Sequence, residues 1–320
     1  MSFEYHRATS LTDAVQALRQ PGARALGGGT DLLPQIREGL ASPRTLVDLR
    51  ALPGSSSIDW DHDGTVAIGA SVRLTELARD VRLAADFPML SQSCAAVGSH
   101  ALRNMGTLGG NLCQRPRCWY FRHGFACHKN GGDSCPALAG ENHQHAIFGG
   151  GPCVAVHPSD PAVALAALEA TLHLAGPDGD REVAVADFFV LPDRRLDQET
   201  VLAPGEIITR IVIPGSSAGG VQRYDKVMQR DSWDFALVSL AACRRQDGDV
   251  RLVLGGVAPI PWRVTDSIEE DVASGGLGED DIETLGERAL YDARPLAHNA
   301  YKVELAGTLL RRAISWLGEA

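Results

Sequence analysis

The chain reads as α+β, in two domains. Three observations carry that reading. Its 320 residues suggest either two domains or one large one with subdivisions. Short strand-like runs alternate with short helical patterns as far as residue 215. From residue 216 onward the character changes to three strand-like runs followed by two long helical patterns, the order expected of a separate α+β unit.

Taken in order, Ser10-Leu11-Thr12-Asp13 has the form of a capping box ahead of the amphipathic helix "LTDAVQALRQ". A short apolar segment then runs into "LGGGTDLL" (26–33) and a second helical pattern. "RTLVDLR" (44–50) and "TVAIGA" (65–70) have strand character, whereas "RLTELARD" and "PMLSQSCAAVG" have helical character. "HPSDPAVALAALEATLHLAG" is a helix entering a strand, and "GEIITRIVIPG" (205–215) is the strand that closes the first domain. "SSAGG" reads as a linker. Beyond it, "VQRYDKVMQ", "FALVSLAACRRQ" and "VRLVLGGVA" predict a three-stranded antiparallel sheet. "EDDIETLGERALYDA" and "AYKVELAGTLLRRAISWLGE" predict two helices after it.

Composition limits the function classes. Hydrophobic residues make up 44% and charged residues 22%, as in an ordinary globular chain. The net charge of −10 argues against a nucleic-acid partner, which would want a basic face. No apolar run approaches the roughly 18 residues of a membrane span. "MSFEYHRATS" lacks the basic-then-apolar pattern of a signal peptide, so a soluble cytoplasmic protein is expected.

Two features carry chemistry. "LGGGTDLL" sits between a strand and a helix, where consecutive glycines let backbone N–H groups close on an anion. It is neither G-x-G-x-x-G nor a P-loop, and many such turns are simply tight turns. "TLGGN" (107–111) is a second turn of the kind, and two of them suit a pyrophosphate held from both sides. The other feature is cysteine. Of seven cysteines, five (Cys113, Cys118, Cys127, Cys135 and Cys153) lie between residues 113 and 153. Cys94 and Cys243 sit in apolar runs and read as buried small hydrophobes. Disulfides would need an oxidising compartment. Zinc usually wants two close pairs, and only Cys113 and Cys118 are that close. An iron–sulfur cluster needs four thiolates and tolerates wider spacing.

In that order along the chain, "ALGGGTDLL", "LRNMGTLGGNL", "HPSD", "LAPGEII", "YDKV" and "LGGVAPIPWR" resemble the FAD-binding medium subunit of molybdenum hydroxylases. This group includes xanthine dehydrogenase, carbon monoxide dehydrogenase and aldehyde oxidoreductases. Most members run from "GGN" almost directly into the "SD" segment, whereas this chain carries an insert at 112–153. It thereby resembles the subset with an extra [4Fe–4S] cluster, such as 4-hydroxybenzoyl-CoA reductase and periplasmic-type aldehyde oxidoreductase. The layout "RCWYF…C…C…QHAIFGG…C…HPSD" is most similar to the aldehyde type.

The resemblance implies a two-subdomain FAD-binding domain of the PCMH/vanillyl-alcohol-oxidase type over 1–215, divided near residue 55, and a C-terminal domain of the CO dehydrogenase flavoprotein type over 216–320. Ala25, Leu26, Gly27, Gly28, Gly29, Thr30, Asp31 and Leu32 would wrap the pyrophosphate, and Thr107, Gly109, Gly110 and Asn111 would form the second phosphate turn. Asp160 would bind a ribityl or ribose hydroxyl, and Leu202 would pack near the flavin. Lys226 would lie near the isoalloxazine and favour negative charge on it, although a lone lysine on a strand is ordinarily an exposed cation. Cys118, Cys127, Cys135 and Cys153 would ligate the cluster, with Cys113 the alternative fourth ligand. His128, His143 and His145 are alternative ligands, each more ordinary as a surface or hydrogen-bonding histidine. The cluster is expected as a structural staple rather than an electron station, because the insert is poor in aliphatics between 113 and 145.

The implied function is electron transfer. A small [2Fe–2S] subunit would feed FAD here from a large molybdenum-cofactor subunit, and FAD would pass the electrons to an external acceptor. No catalytic residue is implied in this chain. Xanthine dehydrogenase-like and hydroxybenzoyl-CoA reductase-like subunits are alternatives within the family. Outside it stand a stand-alone flavin oxidase and a colourless, zinc-stapled nucleotide-binding protein. A partner's twin-arginine signal would make the complex periplasmic.

Overall fold

The computed structural model describes residues 3–319. A small parallel sheet contains β1 (Glu4–Arg7), β2 (Ala23–Leu26) and β3 (Thr45–Asp48) in the order β1-β3-β2. Parallel neighbours need crossovers, and helices Leu11–Leu18 and Leu32–Arg37 serve as these. Ser10 caps the first helix, its Oγ accepting from the Asp13 amide at 3.1 Å.

The second sheet is antiparallel and has the order β4-β5-β8-β6-β7, with β4 (Ile58–Trp60), β5 (Val66–Gly69), β6 (Thr171–Gly176), β7 (Gly179–Ala184) and β8 (Ile207–Ile213). β8 lies at its centre, pairing with β5 on one side and β6 on the other. The five-stranded sheet is thus completed only after the insert has been made. Among the described residues no helix is long and apolar enough to cross a membrane.

The C-terminal sheet has four strands rather than three. β9 (Val221–Val227), β10 (Val238–Arg244) and β11 (Val250–Gly255) are joined by the two-residue β12 (Trp262–Arg263). Three helices follow instead of two: Asp266–Ser274, Glu279–Ala289 and Tyr301–Gly318. The apparent linker "SSAGG" is also tied down. Ser217 is buried with its hydroxyl on the Leu168 carbonyl, and the Gly219 amide donates to the Asp86 carbonyl.

Successive residues of β10 enter different cores. Ala241 and Cys243 join the large core around helix Asp160–Ala167 and the five-stranded sheet. Leu240 and Ala242 join the core beneath the C-terminal helices. The period-2 alternation of a strand sends both sets inward here, because the sheet is covered on both faces. Cys94 and Cys243 are buried, as their apolar contexts suggest.

Candidate functional site

The two glycine turns meet. β2 ends in Gly27-Gly28-Gly29, and Gly29 turns the chain at φ +75°, a left-handed conformation that glycine adopts without strain. The second turn follows the N-cap Thr107, whose Oγ accepts from the Gly110 amide at 3.2 Å. A Cβ built on Gly27 would lie 2.6 Å from that same Thr107 oxygen, and one on Gly110 would lie 2.8 Å from it. A Cβ on Gly28 would collide with the Met105 carbonyl. The turns therefore pack too closely to admit side chains, Gly28 against the Met105 backbone and Gly27 and Gly110 around the Thr107 hydroxyl.

Between them opens a cavity of about 320 Å3, walled by Leu49, Leu52 and Ile208. Of the sequence-predicted residues, Ala25, Gly27, Thr107, Gly109, Gly110 and Leu202 line it. Leu26, Gly28, Gly29, Thr30, Asp31 and Leu32 do not line it. Asp31 is engaged elsewhere: its carboxylate accepts from the Arg115 amide (2.9 Å), Arg122 (2.8 Å) and Gln35 (2.8 Å), and it pairs with Arg117 (3.0 Å). Asn111 is joined to the other side of the site, its Oδ1 accepting from the Ser159 hydroxyl at 2.5 Å.

A second cavity of about 600 Å3 lies between the insert and the C-terminal domain, and Ser159 and Asp160 line it. Asp160 heads helix Asp160–Ala167 and is buried. Its oxygens accept from the Tyr224 hydroxyl (2.6 Å) and from Lys226 (2.8 Å). Burial pushes the Asp160 carboxyl up against the pull of Lys226 and Tyr224, and burial together with Asp160 pushes the Tyr224 phenol up. Lys226 also donates to the Ala96 carbonyl (3.0 Å) and the Asp234 carbonyl (2.9 Å), so all three of its donors are used. It is one half of a buried ion pair, not an exposed cation. His157, from "HPSD", lines the same cavity with both ring nitrogens unpartnered among the described residues, and burial holds its pKa down at about 4. Apart from the "HPSD" string, nothing in the sequence marks it.

The cysteines divide in two groups. Cys118, Cys127, Cys135 and Cys153 line one tight pocket together with Phe121, His128 and Lys129. Cys113 is exposed and lines the glycine-turn cavity instead. A hydrogen bond from Cys153 pulls Cys135 down to about 5, helped by the backbone amides of Val154, Ala137 and Leu138. Cys153 is pushed up correspondingly. Burial pushes Cys118 up. Among the described residues no three His, Cys, Asp or Glu side chains are grouped closely enough to hold a metal ion. A zinc staple would need every sulfur about 2.3 Å from one ion. A cubane cluster spreads its thiolates over four separate irons. Four cysteines around one pocket fit that wider demand. His143 lines the second cavity, and His145 does so while also reaching the cysteines, its Nε2 3.2 Å from Cys118 Sγ.

Residues 1–216 match the family described as the FAD binding domain in molybdopterin dehydrogenase, and residues 222–317 match the CO dehydrogenase flavoprotein C-terminal domain. The chain is 38% identical over 324 residues to the aldehyde oxidoreductase FAD-binding subunit PaoB of Escherichia coli K12, covering 98% of each. It is 29% identical to the carbon monoxide dehydrogenase medium chain of Afipia carboxidovorans, over 98% of this chain and 96% of that one. Among solved structures, a reconstituted CO dehydrogenase from Oligotropha carboxidovorans superposes with a TM-score of 0.77 at 25% identity, covering 100% of this chain and 98% of the other. Quinoline 2-oxidoreductase from Pseudomonas putida 86 gives 0.75 at 25% identity over the same shares. With two family matches in tandem, full-length relatives and a shared fold, the chain belongs to the FAD-binding medium subunits of the molybdenum hydroxylases and is an oxidoreductase subunit.

Proposed function

We propose that the chain is the electron-transfer subunit of a heterotrimeric molybdenum hydroxylase that oxidises aldehydes, carrying FAD and one [4Fe–4S] cluster. Its partners would be a large molybdenum-cofactor subunit and a small [2Fe–2S] subunit, in the cytoplasm or, with a partner's twin-arginine signal, in the periplasm. The observation that carries FAD is the close meeting of the two glycine turns over one cavity. The aldehyde substrate is supported by the 38% identity to a subunit named for that activity.

FAD, when bound, supplies hydride and one-electron chemistry. The chain's own residues bind and orient it. Backbone N–H groups at Gly27, Gly109 and Gly110 would face the pyrophosphate, as backbone donors do in anion sites. Leu49, Leu52, Leu202 and Ile208 give the cavity its apolar wall, which would exclude water from bound flavin. Asp160 would hold a ribityl or ribose hydroxyl, its carboxylate kept in place by the ion pair with Lys226, whose own donors are all used. Cys118, Cys127, Cys135 and Cys153 would hold the cluster.

Anoxic purification of the native complex tests this. Flavin and broad iron–sulfur absorbance, about one FAD per chain, and electron flow from aldehydes rather than purines are expected. A flavin-free protein sinks the cofactor reading, and flow from purines alone sinks the aldehyde reading.

A further inference from the structure

His145 is built against one of the proposed cluster ligands from outside the insert's own cysteines. Its Nε2 lies 3.2 Å from Cys118 Sγ. Its ring is buried, and its Nδ1 has no partner among the described residues. Among the described residues the sulfur is therefore the one hydrogen-bonding group this ring meets. A metal-bound cysteine is a thiolate and can only accept, so the bond requires the Nε2–H tautomer.

The backbone of His145 is held from two sides. Its amide donates to the Asn142 carbonyl at 3.0 Å, and its carbonyl accepts from Asn299 Nδ2 at 3.0 Å. Asn299 is fully buried and belongs to the C-terminal domain. The C-terminal domain thus fixes the backbone that carries the imidazole beside Cys118. A buried ring with one nitrogen left unpaired is a poor structural filler, since an apolar side chain would occupy the space without an orphaned polar atom.

We infer that His145 is a positioning residue for the cluster: its Nε2–H donates to the Cys118 thiolate and raises the cluster's reduction potential. The inference rests on the [4Fe–4S] reading above. A donated proton draws electron density off the sulfur, so the extra electron of the reduced cluster is better accommodated. Removing the donor shifts the one-electron equilibrium toward the oxidised cluster by up to about tenfold, which is about 59 mV lower in midpoint potential.

The test is a mediator titration of the native complex, followed by electron paramagnetic resonance, in wild type, His145→Leu and His145→Gln. Iron and sulfide are assayed in each. The leucine variant is expected to keep its cluster at a lower potential, and the glutamine variant, which retains an N–H donor, to recover much of the shift. A cluster that persists in the leucine variant at an unchanged potential overturns the inference and leaves the cluster reading standing. A wild-type protein without iron and sulfide overturns both. If the leucine variant fails to assemble, reduced wild type grown on 15N-histidine decides: a weak 15N coupling to the cluster supports the bond. Absence of coupling, or the strong coupling of a directly ligating nitrogen, overturns it.

Discussion

Glycine is where the site was most legible, and also where its chemistry is hardest to separate from its folding. Gly28 faces the Met105 carbonyl so closely that any side chain there disrupts the turn whether or not FAD binds. Gly110 is the better probe, because the atom its Cβ would meet is the Thr107 hydroxyl. Gly110→Val is expected to lower bound flavin at least tenfold while the apoprotein still melts cooperatively. Full flavin retention, measured by absorbance after purification, contradicts the two-turn assignment. Thr107→Ala removes an N-cap, so about 1 kcal/mol of stability should go with it, read from a denaturant midpoint. The sequence marked these turns because two glycine runs, one of them between a strand and a helix pattern, suit a pyrophosphate held from both sides. It could not show that Asp31 serves the insert or that Lys226 is saturated. Those partners lie 84, 91 and 66 residues away, and pairing across such distances has no local signature. Spacing likewise left Cys113 and Cys153 in competition, and only the fold separates their surroundings.

At the scale of elements, the insert holds more order than its composition suggested. Its scarcity of aliphatics argues for a loop unable to pack, but its polar residues are themselves the anchors. Asn130 donates to the Phe121 and Phe125 carbonyls, and Arg122 to the Pro116 and Arg115 carbonyls. Glu199 receives Arg115 at 3.0 Å and Lys129 at 2.7 Å. The C-terminal domain grips the far end: the Tyr301 hydroxyl, Lys302 and Asn299 donate to the carbonyls of His143, Gln144 and His145. Burial pushes the Glu199 carboxyl up, but its bonds and charges with Arg115 and Lys129 win and hold it below the usual value. A depressed carboxylate stabilises above its unfolded pKa of about 4.3, and that stability is lost as pH falls below it. Acidification below about pH 4 should thus loosen residues near 115–130 before the sheets, as faster amide exchange. Glu199→Gln should loosen them at pH 7 by about 3 kcal/mol, since two cations are left without their partner. Equal exchange in variant and wild type refutes the anchor. The missed elements have physical causes too: β7 is an exposed, polar edge strand, and β12 has two residues, so neither carries a readable period.

The molecule as a whole turns on the C-terminal sheet. "VSLAAC" is buried throughout because both faces of β10 are covered, one by each core. A sheet shared in this way couples the C-terminal domain to the FAD-binding domain. Lys302 adds to the coupling from the helical side: fully buried, it donates to the Gln144 carbonyl at 3.0 Å and the Gly256 carbonyl at 2.7 Å, with no carboxylate among these partners. Burial lowers its pKa to about 7. The unfolded chain therefore holds a proton that the native chain releases between about pH 7 and 10.4, so this residue contributes stability that grows as pH rises through that window. Lys302→Met should flatten that part of the pH–stability curve relative to wild type, and parallel curves would refute it. The sharper consequence concerns the fragment 221–319. Expressed alone, it leaves Tyr224, Ala241, Cys243 and Val253 without the core they pack into. An exposed apolar sheet face of that kind associates or loses fixed packing. The fragment is expected to bind a hydrophobic dye, to show helical far-ultraviolet signal without a cooperative melt, and to elute larger than a monomer. A monomeric fragment with a sharp transition would mean that the shared sheet is stable with one face bare, and the two-core argument fails.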